Sequence, residues 1–158
     1  MAKCHSHNGR YWQNAILTTD DKDSEIKSPE DLKGKIVGTY PGADINAPQE
    51  LGAYVETFAN YFEIPSSKHA AKMMLNNRFD AYIGDVWAVS YFYDIEVKKY
   101  AKQPRLMVKY LFKPKPQILC FEDAHLRDGF EEELALFKAS GEYEALVIKY
   151  IPNVESLK

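Results

Sequence analysis

Residues 66–93 read SSKHAAKMMLNNRFDAYIGDVWAVSYFY, and their periodicities decide the fold class. Ser66 and Ser67 suit the cap of a helix whose apolar positions Ala70, Met73, Met74 and Leu75 fall to one side. Asn76 and Asn77 stop that helix. Phe79, Ala81 and Ile83 then alternate with Asp80, Tyr82 and Gly84, which is the period of a strand. A second apolar run from Val86 to Phe92 resumes helical spacing. Helix, strand and helix in succession predict the α/β class, with Asp85 at the strand-to-helix turn. In open α/β sheets small ligands bind at the carboxyl ends of the strands, which makes Asp85 a candidate contact. It reads equally as a plain N-cap, and the local pattern does not separate the two roles.

Upstream of this stretch, residues 1–13 carry no periodicity and read as a tail. Cys4, His5 and His7 crowd together there, but structural metal sites space their paired ligands by two or more residues, so no metal is expected. Asn14 to Thr19 fits a short apolar strand, followed by the charged loop DDKDSEIK. Ser28, Pro29 and Gly34 punctuate a single helical turn before a strand over 35–39. Tyr40, Pro41 and Gly42 break that strand. The three- and four-residue steps of Leu51, Tyr54, Val55, Phe58 and Phe62 predict a helix from about Pro48 to Phe62, with all five in the core. The strand, turn and helix over 35–62 contain neither GxxxxGK[ST] nor GxGxxG, so no nucleotide loop is present. The amides near Gly42 and Ala43 could still hold a carboxylate without a side-chain cation.

Downstream, residues 94–103 finish a helix, and Arg105 to Phe112 alternates as a strand. Pro114 and Pro116 make KPKP a stiff extended connection. Gln117 to Phe121 is a last apolar strand. Asp123 caps a helix with Leu126, Phe130, Leu134 and Phe137 on one face, ended by Ser140 and Gly141. A final helix runs from Glu142 to Tyr150.

Composition narrows the function classes. A chain of 158 residues suits one domain, or one lobe plus pieces of another. The 46% hydrophobic content is enough to build a core, and the net charge of −3 leaves no basic stripe for a nucleic-acid backbone. No apolar run approaches the roughly 18 residues that span a bilayer. The N-terminal MAKCHSHNGRYWQN lacks the apolar core of a signal peptide, so the chain as written is expected to stay where it is made. Cys4 and Cys120 are either one bridge or two free thiols.

Three blocks carry a family resemblance: IKSPEDLKGKIVGTYPG, then AAKMMLNNRFDAYIGD, then LRDGFEEELALFKASGEYEALVIKYI. In order and spacing they resemble solute-binding proteins of family 3, the extracytoplasmic receptors of polar amino-acid ABC importers. The resemblance implies an α/β fold of the type II periplasmic-binding-protein kind. On it, residues 14–121 form the second lobe with its crossing strands, 14–19 being the first crossing and 116–121 the return. Residues 122–158 are C-terminal helices that would pack on the first lobe. That lobe is largely missing from the chain.

What the resemblance implies for the site follows residue by residue. Asp85 matches the carboxylate that receives the ligand ammonium. Gly42 and Ala43 match the turn whose amides meet the ligand carboxylate, although Ala43 and Asp44 stand where hydroxyls are usual. Tyr40 and Trp87 flank the same edge and could offer ring faces to an apolar or cationic ligand. The implied partners are a small polar solute, amino-acid-like, and an ABC permease in the complete form. An uncovered apolar lobe face would favour a homodimer. The implied location is the periplasm, and no cofactor is implied.

An enzyme needs a constellation that is not found here. His69 and His125 have no nucleophile motif beside them, and Cys120 lies in an apolar strand where an inert thiol is the default. Relatives on the same fold include cyclohexadienyl or arogenate dehydratases and ligand-sensing modules. Those would need a catalytic acid or a fused effector.

Overall fold

The computed structural model describes residues 5–22, 26–46 and 51–151. They divide into two compact units, residues 13–113 and the described parts of 1–12 with 114–158.

The first unit is built on a five-stranded sheet of order β4-β3-β5-β2-β6. Its strands are β2 (Asn14–Thr19), β3 (Ile36–Thr39), β4 (Asn60–Glu63), β5 (Ala81–Asp85) and β6 (Leu106–Lys109). β3 runs parallel to both β4 and β5, whereas β2 runs antiparallel to β5 and β6. All six residues of β2 are buried, the mark of a strand with neighbours at both edges and cover on both faces. The helices α2 (Ser67–Leu75) and α3 (Val86–Val97) pack against each other and against β2 and β5. On the cluster that holds Ile16, Val37, Ala81 and Ile83, the cover comes from Ile26, Leu32, Ala43, Leu51 and Phe112.

Helix α2 begins as its sequence predicts, with Ser66 accepting the His69 amide, and it buries Ala70, Ala71 and Met74. Asn77 ends it at φ 53°, a left-handed conformation that asparagine tolerates. The turn over Pro29–Leu32 forms as expected, with Gly34 at φ 72° behind it.

The segment before β4 differs from expectation. No continuous helix runs over 51–62: helical backbone at 51–52 gives way to tight turns. Bonds of the i to i+3 kind link Tyr54 to Leu51 and Thr57 to Tyr54, and the 3-10 turn Val55–Thr57 leads into β4. Tight turns of three residues give nearly the same apolar spacing as a helix, and so satisfy the same pattern. Leu51 is buried, and Val55 and Phe58 pack on the core, but Phe62 sits on the edge strand 38% exposed. Residues 47–50 lie outside the described ones.

The second unit holds β1 (His5–Trp12), β7 (Lys115–Phe121), α4 (Ala124–Ala139) and α5 (Glu142–Tyr150). β1 and β7 form a two-stranded antiparallel ribbon, with a register shift between Asn8 and Arg10. Residues 5–12, read from sequence as tail, are therefore a strand. HSHNGRYW has no period of two, and its backbone is paired only by a segment about a hundred residues away, a partner no local pattern reveals. The strand over 14–19, read as the first crossing, lies inside the five-stranded sheet instead. Pro116 is the second residue of β7, on a ribbon edge where a missing donor is tolerated. α4 and α5 match their expected bounds, with Asp123 accepting the His125 amide, yet neither helix has a fully buried residue.

Candidate functional site

The chain leaves β3 toward β4 on one side and leaves β5, through α3, toward β6 on the other. Adjacent strands whose connections depart in opposite directions open a crevice at their carboxyl ends. Tyr40 follows β3 and Asp85 ends β5, so the two flank this switch point.

Asp85 is 6% exposed and caps α3, its Oδ1 accepting the Ala88 amide at 2.9 Å. Asp85 lies opposite Asn14 in the β2 ladder, and the Asn14 side-chain Nδ2 donates to the Tyr40 hydroxyl at 3.3 Å. Gln13 fastens this corner, donating to the Phe112 carbonyl at 2.8 Å while its own carbonyl accepts the Val86 amide at 3.0 Å. The Tyr82 hydroxyl is held protonated far above its ordinary value, first by burial and then by the neighbouring Tyr40 hydroxyl and Asp85 carboxylate. A Cβ on Gly84 would lie 2.5 Å from the Tyr82 ring, so only glycine lets that ring lie along the strand end. Trp87 is half-buried in the first turn of α3.

The structure thus brings together Asp85 and Tyr40 from the sequence candidates, and adds Asn14, Gln13 and Tyr82, which sequence reading missed. Asn14 was visible only as the polar first residue of an apolar strand. Its role depends on antiparallel pairing with β5, which no local signal carries.

The Gly42 and Ala43 turn is arranged differently from the ligand-facing pair of amides that the sequence suggests. Gly42 takes φ 69°, and the Ala43 amide donates to the Tyr40 carbonyl at 3.2 Å. The Gly42 amide donates to Glu63 Oε1 at 2.9 Å. Both donors are engaged within the chain.

Among the described residues no group of three or more His, Cys, Asp or Glu could hold a metal, and no helix is long and apolar enough to cross a membrane. The Cys4, His5 and His7 cluster lies outside the residues whose side chains are described. Cys120 is disulfide-bonded, and the chain's other cysteine, Cys4, lies outside the described residues.

No family model matches the sequence, and no curated protein does. Solved structures do match. An ancestral cationic amino acid solute binding protein superposes with a TM-score of 0.69 at 20% identity, covering 94% of this chain and 62% of that one. The fold is that of the type II periplasmic binding proteins. A second structure, an ancestral amino-acid-binding protein described as a precursor of cyclohexadienyl dehydratase, gives 0.66 at 19% identity over 94% of this chain and 62% of that one. An amino acid ABC transporter substrate-binding protein from Streptococcus pneumoniae, bound to L-arginine, gives 0.66 at 14% identity over 92% of this chain and 60% of that one. The chain therefore spans about 60% of the length of these type II proteins.

Proposed function

We propose that the chain is the solute-binding second lobe, with crossing strands and C-terminal helices, of an extracytoplasmic receptor serving an ABC importer. The observation that carries this reading is a buried carboxylate, Asp85, at the topological switch point of a fold whose solved examples bind amino acids. Asp85 receives the ammonium or guanidinium of a small polar solute, and Tyr40 and Trp87 offer ring faces beside it. Gly42 and Ala43 shape the turn that closes the other side. The role is binding without turnover: ligand is enclosed when a first lobe closes on this one, and the closed form engages the permease.

A disulfide at Cys120 supports the oxidising compartment that the periplasm provides. The apolar side chains left exposed on α4 and α5 support cover by a first lobe or, without one, by a second copy.

Titration of Asp85→Asn against the parent tests the reading. Asparagine caps helices as well as aspartate, so α3 keeps its start while the charge is lost. With L-arginine, L-histidine and L-glutamine as probes, affinity should fall by about tenfold or more, the scale of a hydrogen bond to a charged group. Unchanged affinity for every amine-bearing probe sinks the assignment.

A second reading, an enzyme on the same fold, draws support from the neighbour described as a dehydratase precursor. Turnover of a cyclohexadienyl acid, lost on removal of one acidic residue, would favour it.

A further inference from the structure

β4 ends at Glu63, which pairs with Thr39 in the parallel ladder, so both strands stop at the same edge of the sheet. The turn after β3 begins there, and the Glu63 side chain reaches it. Oε1 accepts the Gly42 amide at 2.9 Å and lies 3.4 Å from the Tyr61 hydroxyl. Asp44 belongs to the same neighbourhood. The Tyr61 hydroxyl is pushed up to about 12 by burial, and next by the charges of Glu63 and Asp44. Glu63 is solvent-exposed, so its position reflects this local bonding rather than confinement in the core.

An amide donor that points at a carboxylate cannot serve a second one without displacing the first. A ligand carboxylate arriving at Gly42 meets two anionic side chains and gives up the very hydrogen bond that would attract it. Two strands away, Asp85 presents a further carboxylate, this one buried. Glu63, Asp44 and Asp85 are all acids, and Glu63 also lines a cavity with the basic side chains His69, Lys72 and Arg78.

We infer that Glu63 sets the ligand class of the site proposed above: it occupies the Gly42 donor and admits cationic amines or guanidines that lack an α-carboxylate in preference to α-amino acids. This rests on the solute-binding reading and makes it more specific. Asp85 then supplies the attraction and Glu63 the exclusion. Specificity of this kind arises as much from what is repelled as from what is held.

L-arginine and agmatine separate the two contributions, because agmatine is arginine without its α-carboxylate. Each is titrated into the parent, Glu63→Gln and Glu63→Ala, with affinity read by calorimetry and the Gly42 amide followed by its NMR resonance. Glutamine keeps an acceptor for Gly42 but removes the charge, whereas alanine frees the donor. Both changes fall on an exposed edge strand, where surface substitutions leave folding intact.

The parent should bind agmatine about tenfold more tightly than L-arginine, the scale of about 1.4 kcal/mol. Glu63→Ala should erase that ratio, Glu63→Gln should reduce it, and the Gly42 resonance should move with L-arginine only in Glu63→Ala. An L-arginine affinity equal to or above that of agmatine in the parent overturns the inference. So does a ratio that Glu63→Ala leaves unchanged. In both cases binding lost in Asp85→Asn leaves the solute-binding reading standing. Absence of binding to either probe in all three proteins defeats that reading, and the inference with it.

Discussion

The two units of the chain solve the same problem with different success. Residues 13–113 surround a sheet with helices on one face and a loop-and-turn layer on the other, and bury Ile16, Leu17, Val37, Ile83 and Val89 almost completely. The ribbon and the two C-terminal helices carry equally apolar side chains but bury little of them: Leu126 is 63% exposed and Leu136 59%. The difference lies in the number of layers. A two-stranded ribbon with helices beside it has too few surfaces to enclose a helix stripe, whereas a five-stranded sheet covered on both faces encloses its central strand. Phe121 against Phe130, with centroids 5.3 Å apart, and Phe137 against Tyr143 at 6.0 Å are ring contacts made within this second unit.

The largest expected effect is in local stability. Hydrogen exchange should place amides of β2, β3 and β5 near the global unfolding free energy, which is on the order of 5 kcal/mol or more for a domain. Amides of α4 and α5 should open at free energies several kcal/mol lower. Equal protection in both regions would erase the contrast and mean that the helices have found cover.

Single substitutions sharpen the same contrast. Leu17→Ala, at a position with no exposed surface, should cost about 2–5 kcal/mol in denaturant unfolding. Leu136→Ala should cost less than about 0.5 kcal/mol. A large loss at Leu136 would show that its side chain is covered in solution. Gly84→Ala comes next, at about 1–3 kcal/mol, because the new methyl would press on the Tyr82 ring. Replacing Tyr82 by alanine should remove this penalty in a double-mutant cycle; additivity of the two changes would rule out the clash.

These positions also show how far the sequence could be read. The 66–93 stretch was legible because each of its signals is local: Ser66 caps its own helix, β5 alternates on its own pleat, and Asp85 begins the helix that follows it. The three-residue turns near Leu51 to Phe58 imitated a helix, since spacing alone does not distinguish one long helix from successive tight turns. That one confusion concealed β4, and with it Glu63. β1 was hidden for a different reason, being defined by its partner rather than by its own residues. At the candidate site, the residues named from the sequence stand at turns, whereas Asn14 and Glu63 are delivered by strand pairing and carry no local signal.

The smallest effect concerns acid. Asp31 accepts the Lys27 and Ser28 amides, both at 2.9 Å, at the turn that leads into β3. The Lys27 bond first, and then the Ser28 bond, hold its carboxyl below the ordinary value of 3.8. A carboxyl whose pKa is lower folded than unfolded contributes stability that is fully present above the unfolded value and disappears as pH falls through the folded one. Stability of the 13–113 unit should therefore lose a small increment below pH 3.8, and Asp31→Asn should flatten the curve there while leaving the neutral-pH slope unchanged. Because the carboxylate is exposed, solvent screens the interaction and the increment stays near the bottom of the range for surface electrostatics. If the two curves are parallel below that pH, the Asp31 bonds do not survive in solution, and the start of β3 is held without them, by the burial of Leu32 and Val37 and by the Ile36 amide donating to Asp80 Oδ2 at 2.8 Å.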